Sequence, residues 1–315
     1  MAETGVFWDA LLQLISEGRV VPVVGQDLTV VETPEGPELL CAYLARRLAE
    51  YLGVSAENLT NGSEINDVAC RHLAQGNSVE DVYPALIKVS SDAAALPIPE
   101  PLRQLAEIRP FTTFVTTTFD SLLLRALNQS RFGGQPKTLQ LAYAPSEIED
   151  LPPNFKTLTV PVVYHLFGKV SATPTFAATH EDIVEYFHAL QSETRRPNLL
   201  FDELNRQSLL VLGSRFGGWL TRFLMRMAKQ QRLSAGGKND YIADADLAGD
   251  KNLVLFLKSF SRSTKLYSSG GAVEFVAELH RRWKEKERNL PAVDPGVQPD
   301  ATAVPIEPGA VFLSY

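Results

Sequence analysis

Two kinds of apolar pattern alternate along the chain. Continuous apolar runs, which are typical of strands buried on both faces of a parallel sheet, occur at residues 20–25, 111–117, 157–168, 208–213 and 252–257, with a weaker run at 264–269. Apolar residues at helical spacing occupy residues 5–18, 38–53, 64–76, 78–90, 100–108, 180–191, 197–206, 217–231 and 271–288. Strands that alternate with helices in this way predict an α/β fold with a doubly wound, mostly parallel sheet.

Four of the predicted helices fall between the first and the second predicted strand. We therefore predict a helical insertion after strand one, at about residues 38–109, within a single domain that covers residues 1–288. The segment 234–250, SAGGKNDYIADADLAGD, separates two predicted elements without apolar periodicity. We interpret it as an acidic surface loop.

The character of the chain changes after residue 288. Residues 289–309 contain five prolines and no apolar periodicity, which predicts a semi-extended linker. Residues 310–315, AVFLSY, form a short apolar run directly after it. The letters VFLSY resemble the opening strand of a TIR domain, and the resemblance implies that the sequence is the front part of a longer protein. The alternative is a strand that folds back onto the first domain.

Composition narrows the function classes. A formal net charge of −7 and a pI near 5.4 argue against nucleic-acid binding as the main role. The two cysteines, Cys41 and Cys70, provide neither a four-cysteine zinc site nor a disulfide framework, so we expect a cytoplasmic protein without zinc. The five histidines lack metal-ligand spacing. No segment reaches the ~18 apolar residues of a membrane span, and no secretory leader is recognisable, so we expect no membrane association.

Glycines, polar residues and one phenylalanine lie at or directly after the ends of four of the predicted strands, where open parallel sheets bind their ligands. These residues are Gly25, Gln26 and Asp27; Thr117, Thr118 and Asp120; His165, Phe167 and Gly168; and Gly213, Ser214 and Arg215. Glycines at such ends let the backbone approach a phosphate. Asp120 can accept the first N–H groups of the helix SLLLRAL, and Arg215 can either bind an anion or pair with a loop carboxylate.

The order of these segments resembles a sirtuin-like domain across about residues 1–288. Gly25 begins the counterpart of a GAGxS-type loop, TTTFD stands for a TTNYD-type strand end, HLFG stands for K-L-H-G, and Gly213-Ser214 stands for the G-x-S loop that contacts NAD. The resemblance implies a Rossmann-like, sirtuin-like fold with an NAD+ pocket at these strand ends. Bacterial sirtuin-like modules fused ahead of TIR domains, a class associated with antiphage defence, are the most similar group.

Three positions depart from the sirtuin pattern. Asp27 puts a carboxylate where a glycine is expected, and at ~4 Å it would repel a diphosphate charge by ~4 kcal/mol at an effective dielectric of ~20. Thr118 replaces an asparagine and lacks the separate donor and acceptor of an amide. Phe167 replaces the histidine before glycine, and His165 lies two residues earlier, ~6.6 Å away along a strand. That offset exceeds the tolerance of a positioned base.

We therefore predict a catalytically degenerate sirtuin-like domain that serves as a scaffold, sensor or oligomerisation module. In the intact protein, the resemblance implies a TIR domain that cleaves the glycosidic bond of NAD+, and assembly into a homo-oligomer. Two alternatives stay open. One is an active NAD+ glycohydrolase in which His165 and Thr118 are catalytic, and the other is a module that senses ADP-ribose-like nucleotides through Ser214 and Arg215.

Overall fold

The computed structural model describes residues 5–171, 175–214, 218–230, 232, 239–244, 251–260, 263–267 and 269–289. Three of the predicted features lie outside these residues. They are the candidate anion ligand Arg215, the proline-rich linker beyond residue 289 and the apolar run at 310–315.

The described strands form one large sheet and one hairpin. They are β1 (Val20–Val24), β2 (Val30–Thr33), β3 (Gly36–Leu39), β4 (Thr113–Thr116), β5 (Leu139–Ala144), β6 (Glu147–Ile148), β7 (Val162–His165), β8 (Ser208–Leu212), β9 (Asp240–Ala243) and β10 (Thr264–Leu266). The sheet has eight strands in the order β10-β9-β8-β1-β4-β7-β5-β6, and the hairpin is β2-β3. Every pairing in the large sheet is parallel except β5 with β6. The predicted α/β, mostly parallel fold is confirmed.

The described helices cover both faces of this sheet. They are α1 (Gly5–Ser16), α2 (Leu40–Leu52), α3 (Glu64–Ala74), α4 (Val82–Ala93), α5 (Glu100–Glu107), α6 (Leu122–Phe132), α7 (His180–Gln191), α8 (Asn198–Arg206), α9 (Gly218–Lys229), α10 (Lys251–Phe260) and α11 (Ala272–Asn289). Helices α2 to α5 lie between β1 and β4, where the insertion was predicted. No helix among the described residues is both long enough and apolar enough to cross a membrane.

The two faces of the sheet bury two separate hydrophobic clusters. Within β1, Val20 and Val24 belong to one cluster, while Val21 and Val23 belong to the other. Side chains alternate between the faces of a strand. A strand that is covered on both faces must therefore be apolar at every position, which explains the continuous runs in the sequence.

One predicted strand is wrong. The run NLVLFL at 252–257 lies in helix α10, and the strand beside β8 is β9, inside the segment predicted as an acidic surface loop. A short apolar run does not separate a strand from a helix by periodicity alone. Within α10, Leu255 is 65% exposed. The four residues of β9 are all buried, although polar residues surround them in the sequence.

Candidate functional site

A cavity of about 380 Å³ lies at the carboxyl ends of the central strands. Its floor is formed by residues that directly follow β1, β4 and β8, namely Gln26, Thr117, Thr118, Asp120 and Ser214. From β1 the chain continues to β4 on one side and later returns to β8 on the other side. The cavity therefore lies at the switch point of the sheet, where doubly wound folds bind ligands. It unites three of the four strand ends that the sequence singled out.

Two glycines allow the ends of β1 and β8 to touch. A Cβ atom at Gly25 would lie 2.3 Å from the carbonyl oxygen of Gly213 and 2.3 Å from the Cα of Ser214. The Gly25 N–H donates to the Leu212 carbonyl at 2.8 Å, and Gly213 has a φ of +59°, which favours glycine. Close packing of the two loops therefore explains the glycines at positions 25 and 213 without any ligand.

Asp27 is a buried residue next to the cavity. It sits in a 3-10 turn, Gln26–Leu28, is 5% exposed and does not line the cavity. A Cβ atom placed on Gly213 would lie 2.4 Å from the Asp27 Cβ and 3.1 Å from the Ala272 Cβ, so the Asp27 side chain packs between β8 and the start of α11. The structure therefore places Asp27 outside the cavity lining, in a buried turn next to it. Its repulsion of a diphosphate stays a prediction.

Threonines tie the end of β4 to β1. The Thr116 hydroxyl donates to the Val24 carbonyl at 3.2 Å, and the Thr117 N–H donates to the same carbonyl at 3.0 Å. The Thr118 hydroxyl lies 3.0 Å from that of Thr116. Thr117 and Thr118 line the cavity, and the Thr117 hydroxyl also lies 3.4 Å from the Val24 carbonyl oxygen.

Asp120 combines a structural role with a place on the cavity wall. Its Oδ1 accepts the N–H of Leu122 at 2.8 Å, which is the predicted contact at the start of α6. Burial raises the pKa of Asp120 above the ordinary value of an aspartate, although hydrogen bonds from Leu122 and Thr118 favour the ionised form. A carboxyl with a raised pKa is a group that can exchange a proton with a ligand.

His165 lies beneath the cavity floor. It is 1% exposed, its Nδ1 is 3.0 Å from the Thr118 carbonyl oxygen, and its Nε2 is 3.0 Å from the Gln140 amide nitrogen. A carbonyl only accepts, so Nδ1 carries the hydrogen and Nε2 accepts one from Gln140. Burial lowers the pKa of His165 to about 4. The ring is therefore neutral near pH 7, has both nitrogens engaged and supports the backbone at Thr118.

The remaining residues of the β7 end also lie outside the cavity lining. Phe167 is buried against Phe187 and Tyr186, with ring centroids 5.3 Å and 6.1 Å apart. Gly168 pairs with Phe176 and has a φ of +78°, and a Cβ atom there would lie 2.1 Å from the Thr175 carbonyl oxygen. This fourth strand end packs into the core and contributes to the site only from below, through His165.

Ser214 is buried at the end of β8, and its hydroxyl lies 3.5 Å from Oδ2 of Asp244. The preceding residue, Gly213, donates its N–H to the Ala243 carbonyl at 2.8 Å. These contacts hold the β8 loop against the end of β9. Within the part of the chain that the structure describes, no group of three or more histidine, cysteine, aspartate or glutamate side chains could hold a metal ion.

The roof of the cavity was not predicted from the sequence. It comes from the first turns of α2, α3 and α7, and the polar part is formed by Ser63, Glu64, Asn66 and His180. The backbone N–H of His180 donates to Oδ1 of Asn66 at 3.0 Å, and the ring Nε2 of His180 lies 3.0 Å from the Ser63 hydroxyl. The helical insertion is thereby bound to α7 across the cavity. The one sequence signal here is a capping box at Thr179, which marks the start of α7.

Comparison with known families agrees with this architecture. Residues 112–258 match the family model of the SIR2-like domain. The matched segment begins at β4 and extends into α10, so it includes the strand ends at Thr118, His165 and Gly213. No curated protein matches the chain. The family match and the eight-stranded, mostly parallel sheet together support a sirtuin-like domain.

Proposed function

We propose that this chain is a catalytically degenerate sirtuin-like module that binds a nucleotide of the NAD+ and ADP-ribose class and acts as a sensor and scaffold. One observation carries the proposal. The cavity at the strand ends is open, while His165, the histidine nearest to the sirtuin position, is buried beneath it with both ring nitrogens engaged.

The cavity has the features of a nucleotide site. Its volume of about 380 Å³ lies within the range of roughly 300–1,000 Å³ for small-molecule pockets. Residues with hydroxyl or amide side chains line the floor, including Gln26, Thr117 and Ser214. Apolar side chains such as Leu44 and Ile183 line the opposite wall. A nucleotide offers both a polar sugar and an apolar base face to such walls.

Sirtuin-type hydrolysis requires a base that can take a proton at the ribose. His165 does not reach the cavity in this structure, and its low pKa makes it a weak base near pH 7. The Thr118 hydroxyl, at the position of the asparagine, is 3.0 Å from another hydroxyl. We therefore infer that a bound nucleotide leaves the cavity unchanged.

The test is calorimetric titration of the full chain with ADP-ribose, paired with an assay of NAD+ turnover. We expect micromolar binding, and no turnover above the rate of buffer. The binding control is Ala178→Phe, which puts a ring into the cavity wall and should abolish the heat of binding. Absence of heat with millimolar ADP-ribose would refute the sensor. Robust turnover that is lost in a folded His165→Gln variant would refute the catalytic degeneracy.

A second function, hydrolysis of NAD+ in this cavity, has one observation in its favour. Asp120 lines the cavity, and its raised pKa brings it closer to the range of a general acid or base. Water would then attack the ribose carbon as the glycosidic bond breaks and nicotinamide leaves. Turnover that Asp120→Asn abolishes, while ADP-ribose binding persists, would favour this function over the sensor.

The wider role is also a proposal. The resemblance of VFLSY to a TIR strand supports an intact protein in which a TIR domain hydrolyses NAD+ during antiphage defence and the sirtuin-like module controls its assembly. Under this proposal the protein forms a homo-oligomer. Light scattering of the intact protein with and without ADP-ribose tests the assembly, and the NAD+ content of infected cells tests the defence role. A monomer in both conditions would contradict the scaffold.

A further inference from the structure

Glu64 is a charged side chain enclosed in the cavity roof. It is the first residue of α3, is 7% exposed and lines the cavity. Among the residues that the structure describes, none forms a hydrogen bond or an ion pair with its carboxylate. The neighbours of Glu64 are anchored, since Ser63 and Asn66 contact His180. The backbone at the start of α3 is therefore held in place, and the Glu64 side chain lines the cavity.

Most of the Glu64 side chain is shielded from solvent, and a carboxylate in such a place gains from hydrogen-bond donors. The start of a helix tolerates a negative charge, which explains why α3 can carry Glu64 at this position. A ligand in the cavity can provide hydrogen-bond donors to this carboxylate. Two adjacent hydroxyl groups suit the two oxygens of a carboxylate, and acidic side chains bind the ribose hydroxyls in dinucleotide-binding folds.

We propose that Glu64 accepts hydrogen bonds from a ribose 2′,3′-diol and makes the cavity specific for nucleotides that lack a 2′-phosphate. The inference rests on the proposed function, since it assigns a ligand group to the same cavity. A 2′-phosphate would remove one of the two donors and bring a second negative charge next to Glu64. The floor residues Thr117 and Ser214 provide hydroxyl groups rather than cationic side chains, so they do not neutralise that charge.

Calorimetry with a matched pair of ligands tests this assignment. The full chain is titrated with ADP-ribose and with 2′-phospho-ADP-ribose, as wild type, as Glu64→Gln and as Glu57→Gln. Glu57 is an exposed residue of the same helical insertion and controls for loss of one negative charge. We expect the wild type to prefer ADP-ribose by at least tenfold. Glu64→Gln should reduce that preference by about tenfold, or about 1.4 kcal/mol, and Glu57→Gln should leave it unchanged.

The outcomes separate this assignment from the proposed function. If the wild type binds neither nucleotide, both are overturned. If it binds both nucleotides equally, or if Glu64→Gln keeps the full preference, the sensor function stands and the role of Glu64 is refuted. Thermal melting of each variant checks the fold. Because glutamine has nearly the size of glutamate and keeps one acceptor oxygen, Glu64→Gln is expected to fold.

Discussion

The contact between the ends of β1 and β8 gives a prediction with an internal control. Gly213 and Gly18 have nearly the same backbone, with φ values of +59° and +64°. A Cβ atom at Gly18 would have nothing within 4 Å, whereas at Gly213 it would lie 2.4 Å from the Asp27 Cβ and 3.1 Å from the Ala272 Cβ. Alanine at the two positions therefore separates backbone strain from steric overlap.

The expected magnitudes follow from these two contributions. A left-handed backbone costs an ordinary residue roughly 1–2 kcal/mol, so Gly18→Ala should lower the free energy of unfolding by that amount. Forcing an extra methyl group into a packed region costs roughly 1–3 kcal/mol more. We thus expect Gly213→Ala to lose roughly 2–5 kcal/mol. The neighbouring atoms belong to the stems of side chains, so they cannot move aside without shifting the turn at Asp27 or the start of α11.

Urea unfolding followed by circular dichroism gives both values, and titration with ADP-ribose reports the site. Ser214 follows Gly213 directly and lines the cavity. A shifted loop should therefore also weaken nucleotide binding by the folded fraction of the Gly213→Ala variant. Gly18→Ala should bind as the wild type does. Equal destabilisation by the two variants would show that the ends of β1 and β8 do not pack as described, and the reasoning would be refuted.

Three further predictions concern the floor and the roof. His165 has a lower pKa in the folded state than the ordinary value of about 6.5, so the unfolded state binds more protons and stability falls as the pH drops from about 6.5 towards 4. In urea unfolding, the free energy of unfolding of the wild type should fall by roughly 2 kcal/mol between pH 7 and pH 5 through this group. His165→Gln should lack this loss, and an equal pH dependence of the two proteins would contradict the prediction. Asp120→Asn keeps an oxygen that accepts the Leu122 N–H and removes a buried carboxylate, so the free energy of unfolding at pH 7 should stay the same or rise. Asp120→Ala loses the acceptor, and thermal melts should show a loss of about 1 kcal/mol. Asn66→Ala removes the acceptor of the His180 backbone N–H, so ADP-ribose binding should weaken several-fold while the urea midpoint changes little. Unchanged binding would exclude a role for this contact in the roof.

Much of the floor was predictable because parallel strands leave a local record. Each central strand is a continuous apolar run that ends at a glycine or a hydroxyl residue, and in a parallel sheet those ends share one edge. The sequence around Gly25, Thr118 and Gly213 therefore predicts that these three strand ends meet, as they do in the floor of the cavity. At the fourth end, the offset of His165 from the sirtuin position already argued against a positioned base. Nothing in HLFG indicates that the ring contacts Gln140.

The roof was unpredictable for a different physical reason. Ser63 and His180 meet although 117 residues separate them, and the contact depends on how the helical insertion docks against α7. Helical periodicity tells which side of a helix is buried, and it does not tell which other helix covers that side. Glu64 illustrates the limit. In the sequence it is an ordinary acidic residue in the first turn of a helix, and only the folded chain shows that it is enclosed without a described partner.

The three departures from the sirtuin pattern lie in different places relative to the cavity. Asp27 and Phe167 are buried and do not line the cavity, so neither side chain contacts a ligand bound there. Thr118 alone faces the site. The case against catalysis therefore rests on Thr118 together with the buried His165, and these two are linked, because the His165 ring donates to the Thr118 carbonyl. Replacing Thr118 by asparagine would restore an amide while leaving that ring below the floor. Under the proposed function, the position of His165 below the floor therefore counts for more than the exchange of an amide for a hydroxyl at residue 118.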